Sequence, residues 1–137
     1  MLSNTEAAYL AGIIDGEGTI TLTKMHKGEH RRPIISIAST DKDLLFYIQH
    51  LVGGYITSKK NYKPSIHKDS FVLTIKNKQD LFNILKEIAP YLIISHKKKR
   101  ASLILERYNE LTPRNGKYTP ETQLLKQQFE DEFLSIK

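Results

Sequence analysis

Apolar and polar positions follow two rhythms along this chain. Thr19-Ile20-Thr21-Leu22-Thr23 alternates strictly, which puts Ile20 and Leu22 on one face of a strand and three threonines on the other. Ile34 to Ser39 alternates again, with Ile35 and Ile37 toward the core. The polar stretch from His26 to Pro33 joins the two as a hairpin with a long basic tip. A second hairpin is predicted from Tyr55–Lys60 and Ser70–Lys76, around a loop at 61–68. Helical spacing frames these strands. Ser3 and Glu6 have capping-box spacing ahead of Ala7 to Ile14. Leu44, Leu45, Ile48, Leu51 and Val52 mark a helix over 41–51, stopped by Gly53-Gly54. Leu81, Phe82, Leu85 and Ile88 mark another over 79–88, with Pro90 beyond its end. The order α-β-β-α-β-β-α predicts an α+β domain with one antiparallel sheet.

The remaining third, about 95–137, reads as extra C-terminal helices. Ser95 is placed to cap a helix over 96–110. Thr119-Pro120-Glu121 starts a final helix, with Pro at the first helical position. Its predicted apolar stripe is Leu125, Phe129, Phe133 and Ile136. Glu121, Glu130, Asp131 and Glu132 fall on its polar face, so it is expected to lie away from any phosphate backbone. At 137 residues the chain is expected to form a single domain, 1–137.

Charge sharpens the picture. The chain has 21 Lys+Arg against 15 Asp+Glu, a formal +6, which favours a polyanionic partner. The surplus is concentrated: residues 24–100 hold 16 basic and six acidic residues, whereas residues 1–23 hold no Lys or Arg and three acids, Glu6, Asp15 and Glu17. Absence of cysteine excludes disulfides, thiolate catalysis and cysteine metal sites. No apolar run approaches the roughly 18 residues that span a bilayer, and the N-terminus lacks a basic region ahead of an apolar one, so neither a membrane partner nor a signal peptide is expected. The expected location is soluble and intracellular. No phosphate-cradling Gly-rich loop or small-molecule cofactor motif is present. Among the five histidines, the only pair at i,i+4 is His26 and His30, in a loop, which does not make a zinc site.

One stretch is costly as a plain core helix. Gly12 lies mid-helix, where it costs about 0.5–1 kcal/mol relative to Ala. Ala8, Gly12 and Gly16 recur every four residues and leave one helix face nearly bare, open to close approach by another helix. Asp15 and Glu17 then fall at the helix C-terminus, where the macrodipole disfavours acids by up to about 1 kcal/mol each. Two local penalties at one place suggest a site that gathers a cation; the plain alternative is a tight helix end with solvated acids.

Leu10-Ala11-Gly12-Ile13-Ile14-Asp15-Gly16-Glu17-Gly18 closely resembles the signature of the LAGLIDADG homing endonucleases. The α-β-β-α-β-β-α order is similar to that family's domain. The resemblance implies a site-specific, double-strand DNA endonuclease of the intron-encoded kind, and a single motif implies a homodimer acting on a long pseudo-palindromic site. It implies packing of two signature helices through Ala8, Ala11, Gly12, Asp15 and Gly16. It also implies Mg²⁺ (or Mn²⁺) held by Glu17 and the carbonyl of Gly16, and a location in whichever compartment holds the target DNA. Lys97 is the best match to the family's active-site lysine, with Lys98 the alternative one residue on. Asp41 aligns with a polar residue that orders water in relatives, and equally reads as the N-cap of the second helix.

DNA contact is expected from the solvent-facing side of the sheet, since two-stranded ribbons fit the major groove. The residues on that side are Thr19, Thr21, Thr23 and Met25, then Arg32, Ile34, Ser36 and Ala38, then Tyr55, Thr57 and Lys59. On the fourth strand Ser70, Val72 and Thr74 are favoured over Phe71, Leu73 and Ile75 as the outward set. Arg31 and Arg32 are candidates for bidentate guanine contacts, Lys27, Lys60, Lys63 and Lys68 for phosphate contacts, and Lys98 for a further DNA contact. The competing reading is a maturase acting on RNA, or a DNA-binding regulator, that shares the fold without cleaving.

Overall fold

The first helix begins where the capping box places it. In the computed structural model, which describes Met1–Lys137, Ser3 Oγ accepts from the Glu6 amide while the Glu6 carboxylate accepts from the Ser3 amide, and α1 runs Asn4–Glu17. β1 (Gly18–Thr23) follows with no intervening loop. That turn is possible because residue 18 is glycine: a Cβ there would lie 2.8 Å from the Ile14 Cα. β2 (Arg32–Ser39), α2 (Lys42–Val52), β3 (Tyr55–Lys59), β4 (Ser70–Ile75) and α3 (Lys78–Ile88) complete the predicted order. Asp41 and Asn77 cap α2 and α3 through their side chains. Gly54 has φ +91°, and a side chain there would strike the Thr74 carbonyl, so the entry to β3 needs glycine.

The four strands form one antiparallel sheet in the order β1-β2-β4-β3. Ile20, Leu22, Ile35, Ile37, Leu73 and Ile75 point to one face, where they join Leu10, Ile14, Leu45, Ile48, Leu81 and Leu85 of the helices in one core cluster. The fourth strand therefore turns Ser70, Val72 and Thr74 outward, as favoured from sequence. No helix covers the opposite face, whose residues are half-buried or exposed.

The C-terminal third departs from expectation in three ways. α4 spans Ser95–Leu103 and continues as a π-helical turn over Ile104–Tyr108. Ser95 does not cap it: Ile94 holds the N-cap position with no side-chain bond. The buried stripe of α5 (Pro120–Ser135) is Lys126, Phe129, Glu130 and Phe133, while Leu125 is exposed. Phe129 and Phe133 face inward as expected, but Lys126 and Glu130 share their helical spacing and are passed over from sequence because they are charged. Tertiary partners account for both: Glu130 receives His30 Nδ1 at 2.7 Å and the Arg31 amide at 3.3 Å, and Lys126 lies over the Tyr108 ring, 3.9 Å from its centroid.

Candidate functional site

The C-terminus of α1 is the point where chemistry gathers. Its last carbonyls carry the negative end of the dipole, and beyond Ile14, which accepts from the Gly18 amide, they have no helical donor. Lys97, in the first turn of α4, donates to the carbonyls of Ile14 and Asp15, both at 2.7 Å. In return the Asp15 carboxylate accepts from the amides of Ile93 at 2.9 Å and Ile94 at 3.1 Å, just ahead of α4. The cation covers the negative end of one helix, and the acid covers unpaired amides at the start of the other. Each such charge-assisted bond contributes about 1.5–3 kcal/mol. Of the basic cluster at 97–100, Lys97 is accounted for by these carbonyls. Arg100 extends the pattern: it donates to the Ile20 and Ile136 carbonyls, and its guanidinium lies 4.9 Å from the Phe133 centroid. Lys98 is exposed.

This clamp separates the two acids of the motif. Asp15 is committed within the chain, holding the segment before α4. Glu17, two residues on, is exposed and takes part in none of the four ion pairs. A single chain assembles no group of three or more metal-ligating side chains, at Glu17 or elsewhere. The small-residue stripe is likewise divided. Ala8, Gly12 and Gly16 are exposed, and a Cβ added at Gly12 or Gly16 would meet no atom within 4 Å. Ala11, expected beside them, is instead 0% exposed and belongs to the core. The helical rotation of about 100° per residue turns it from the bare face onto the sheet.

Asp41 caps α2, its carboxylate accepting from the Asp43 amide at 3.0 Å. Because Gly18 pairs with Ile37, β2 ends at Ser39 on the same side of the sheet as Glu17, so Asp41 and Glu17 share that end.

The open face of the sheet is a small, polar surface with a regular register. Thr19 lies opposite Ser36, Ser36 opposite Thr74 and Thr74 opposite Tyr55, making one row across four strands. Ala38, Val72 and Thr57 make a second row, and Thr23 pairs with Arg32 at one margin as Ser70 pairs with Lys59 at another. Two candidates lie elsewhere. Met25 lies in the loop beyond β1 and is half-buried. Arg31 precedes β2 and folds inward, donating to the Leu22 carbonyl at 3.3 Å with its Nε 3.9 Å from Glu130. Arg32 is outward and exposed, with Glu29 at 3.4 Å, and Lys27 is exposed in the loop.

Sequence reasoning missed a polar cluster beneath that loop. His30 contacts Glu130 and Gln123, and its ring lies 4.6 Å from that of Tyr118. Lys126 is fully buried and donates to Thr112 Oγ1. Burial pushes its pKa down to about 8, opposed by the nearby Glu130 and assisted by Lys78. Burial likewise pushes the Tyr108 hydroxyl up. The one sequence signal was the helical spacing of 126, 129, 130 and 133.

Comparison with known proteins places this arrangement. The family profile described as "LAGLIDADG-like domain" matches residues 4–89. The homing endonuclease I-CvuI, solved with its target in the presence of calcium, superposes with a TM-score of 0.76 at 19% identity, covering 98% of this chain and 83% of that one. The archaeal intron-encoded homing endonuclease I-Vdi141I, complexed with DNA, superposes with a TM-score of 0.75 at 21% identity, covering 98% and 85%. The homing endonuclease I-TnaI gives 0.65 at 18% identity, covering 96% and 87%. The fold is thus shared with these structures, and the chain belongs to the LAGLIDADG-like domain family, with the fold of its homing endonucleases.

Proposed function

We propose that this protein is a site-specific, divalent-metal-dependent DNA endonuclease of the intron-encoded type, acting as a homodimer on a long pseudo-palindromic site. The observation that carries the reading is Glu17: an exposed acid at a rigidly clamped helix end, where nothing in its own chain requires an acid. The outward rows of the sheet supply a groove-sized ribbon, and relatives of the same fold are complexed with DNA.

The bare stripe of Ala8, Gly12 and Gly16 supports the dimer. Glycine at 12 or 16 relieves no clash within the chain, so its helix penalty is repaid only by a second helix drawn close. Two-fold packing there brings a Glu17 from each protomer together and matches the symmetry of a palindromic site. Asp15 and Ala11 serve this interface from within, one by fixing the helix end and the other by seating α1 on the sheet.

The oxygen donors present fit Mg²⁺ or Mn²⁺: the free Glu17 carboxylate and the carbonyl of Gly16, next in line after the two that Lys97 takes. I-CvuI has been crystallised with calcium and with magnesium. The chemistry such an ion supplies is activation of water and stabilisation of charge on the scissile phosphate. Glu17 holds the ion. Lys97 is a positioning residue, because its ammonium is spent on the helix end that carries Glu17. Asp41 caps α2 and so fixes the chain beside the same end of the sheet. Arg32, Lys59 and the outward threonines read and orient the duplex, with Lys27 and Lys98 on phosphates.

The test is incubation of the purified protein with Mg²⁺ and its uninterrupted host locus. A double-strand break at one position is expected; binding without cleavage overturns the endonuclease reading and selects the regulator or maturase. The dimer has its own test. Gly12→Leu should leave the monomer folded, and more stable by up to about 1 kcal/mol from helix propensity, while halving the mass in sedimentation. An unchanged mass refutes the packed-helix interface.

A further inference from the structure

A second basic site lies away from Glu17. Between the end of the sheet and the C-terminal helices is a cavity of about 570 Å³, within the range of small-ligand sites. Arg31, Arg32, Lys76, Lys78, Arg114 and Lys126 line it, against one lining acid, Glu29. β1 and β2 separate it from the acid: Glu17 adjoins the start of β1, whereas the cavity takes in Arg32 and Pro33, which pair with the strand's other end.

Lys126 shows that this is more than a basic surface. It is 0% exposed, yet no carboxylate pairs with it. Its ammonium has one hydrogen-bond acceptor, Thr112 Oγ1, and the face of Tyr108, so a third donor remains to be used. Glu130, the nearest buried acid, is occupied by His30 and Arg31. A buried charge left without a counter-charge is costly, and proteins retain one where a partner completes it. The charged side chains that line the cavity do not complete it, because all but Glu29 and His30 are themselves Lys or Arg. The π-helical turn contributes directly: it carries Tyr108 into the wall, and such turns recur at functional sites.

We propose that this cavity binds a phosphoryl group, with the Lys126 ammonium at its floor and the Lys76, Lys78 and Arg114 cations around its mouth. A polyvalent oxyanion, rather than a single carboxylate, suits a cavity with so many cations and guanidinium forks. The group comes either from a free phosphate ester or from the backbone of bound DNA. The inference stands on this cavity alone and does not depend on the endonuclease reading.

The experiment titrates the full-length protein with inorganic pyrophosphate by calorimetry, without divalent metal and at constant ionic strength, and measures binding to an arbitrary-sequence duplex across a salt series. The chains compared are the unaltered protein, Lys126→Met, and the surface double variant Lys76→Ala with Arg114→Ala, which does not disturb the core. Pyrophosphate binding weakened about tenfold or more in both variants supports a free phosphoryl ligand. No pyrophosphate binding, with a log–log salt slope for DNA flattened by about one or more in both variants, supports a backbone phosphate as the occupant. Pyrophosphate bound equally by all three chains, or no effect in either arm, overturns the proposal.

Discussion

Glu17→Gln should reduce DNA cleavage by about a thousandfold or more while leaving DNA affinity within a few-fold. The substitution keeps shape and removes charge. Glu17 is exposed and joins no ion pair, so no intrachain contact is lost and the melting temperature should not move. What is removed is the hard anionic oxygen that a divalent ion needs, and an amide carbonyl is a poor substitute for it. In the proposed dimer each protomer contributes one such acid, and without a cation the two would repel. DNA affinity in divalent-free buffer should hold steady or rise slightly in the variant, since a carboxylate facing phosphate is gone. Measuring single-turnover cleavage in Mg²⁺ beside binding in EDTA separates the two effects. Full cleavage by the Gln variant would remove Glu17 from the metal assignment.

Lys126→Met should alter the pH dependence of stability more than any exposed substitution. Burial holds the Lys126 pKa at about 8, against 10.5 in the unfolded chain. The folded state therefore binds fewer protons than the unfolded state between those values, and stability rises with pH across that window. The destabilisation is fully present below pH 8 and fades toward pH 10.5. A shift of this size corresponds to roughly 3 kcal/mol at neutral pH. The groups facing the ammonium are Glu130, Lys78 and Tyr108, with His30 and Arg31 on the far side of Glu130. Methionine fills the stem's volume without charge, so at pH 7 the variant should be more stable than the parent, as apolar replacement of buried charge can be. Denaturant unfolding at pH 7 and pH 10 checks it: the parent should gain roughly 2 kcal/mol between them and the variant should not. Taking the difference between the two chains cancels Tyr108, whose raised pKa acts in the opposite sense above pH 10. A parallel pH response in both chains would show that Lys126 is not a buried cation.

The stability cost of Lys126 also bears on the proposed phosphoryl site. A group that destabilises the empty protein at neutral pH would be compensated when an oxyanion reaches it, so binding and stability should be coupled through the same ammonium.

Much of the fold was legible because its signals are local. Capping residues Ser3 and Asp41, strict alternation through β1 and β2, and Gly53-Gly54 each specify an element within a few residues. The site was legible in part. The Ala-Gly-Gly stripe and the acids of the motif marked the end of α1, but local spacing treats Asp15 and Glu17 alike. Only the segment at Ile93 and Ile94, nearly eighty residues on, separates a committed acid from a free one. Arg31 and Arg32 are adjacent and chemically identical in sequence. Glu130, on α5, draws one inward and leaves the other on the open face.

By itself, then, the sequence determined the element order, the inward and outward faces of the strands, the basic middle of the chain and the acid-tipped helix with its family signature. These follow from periodicity, capping and composition, which operate over one or two turns of chain. The tertiary structure decided which charges are spent. Lys97 went to the carbonyls of α1, Asp15 to the amides before α4, Glu130 to His30 and Arg31, and Lys126 to a buried place beneath a basic cavity. The physical reason is that a charged side chain is stable wherever it finds either water or a partner, and the partner is fixed by packing between segments that the local pattern does not connect.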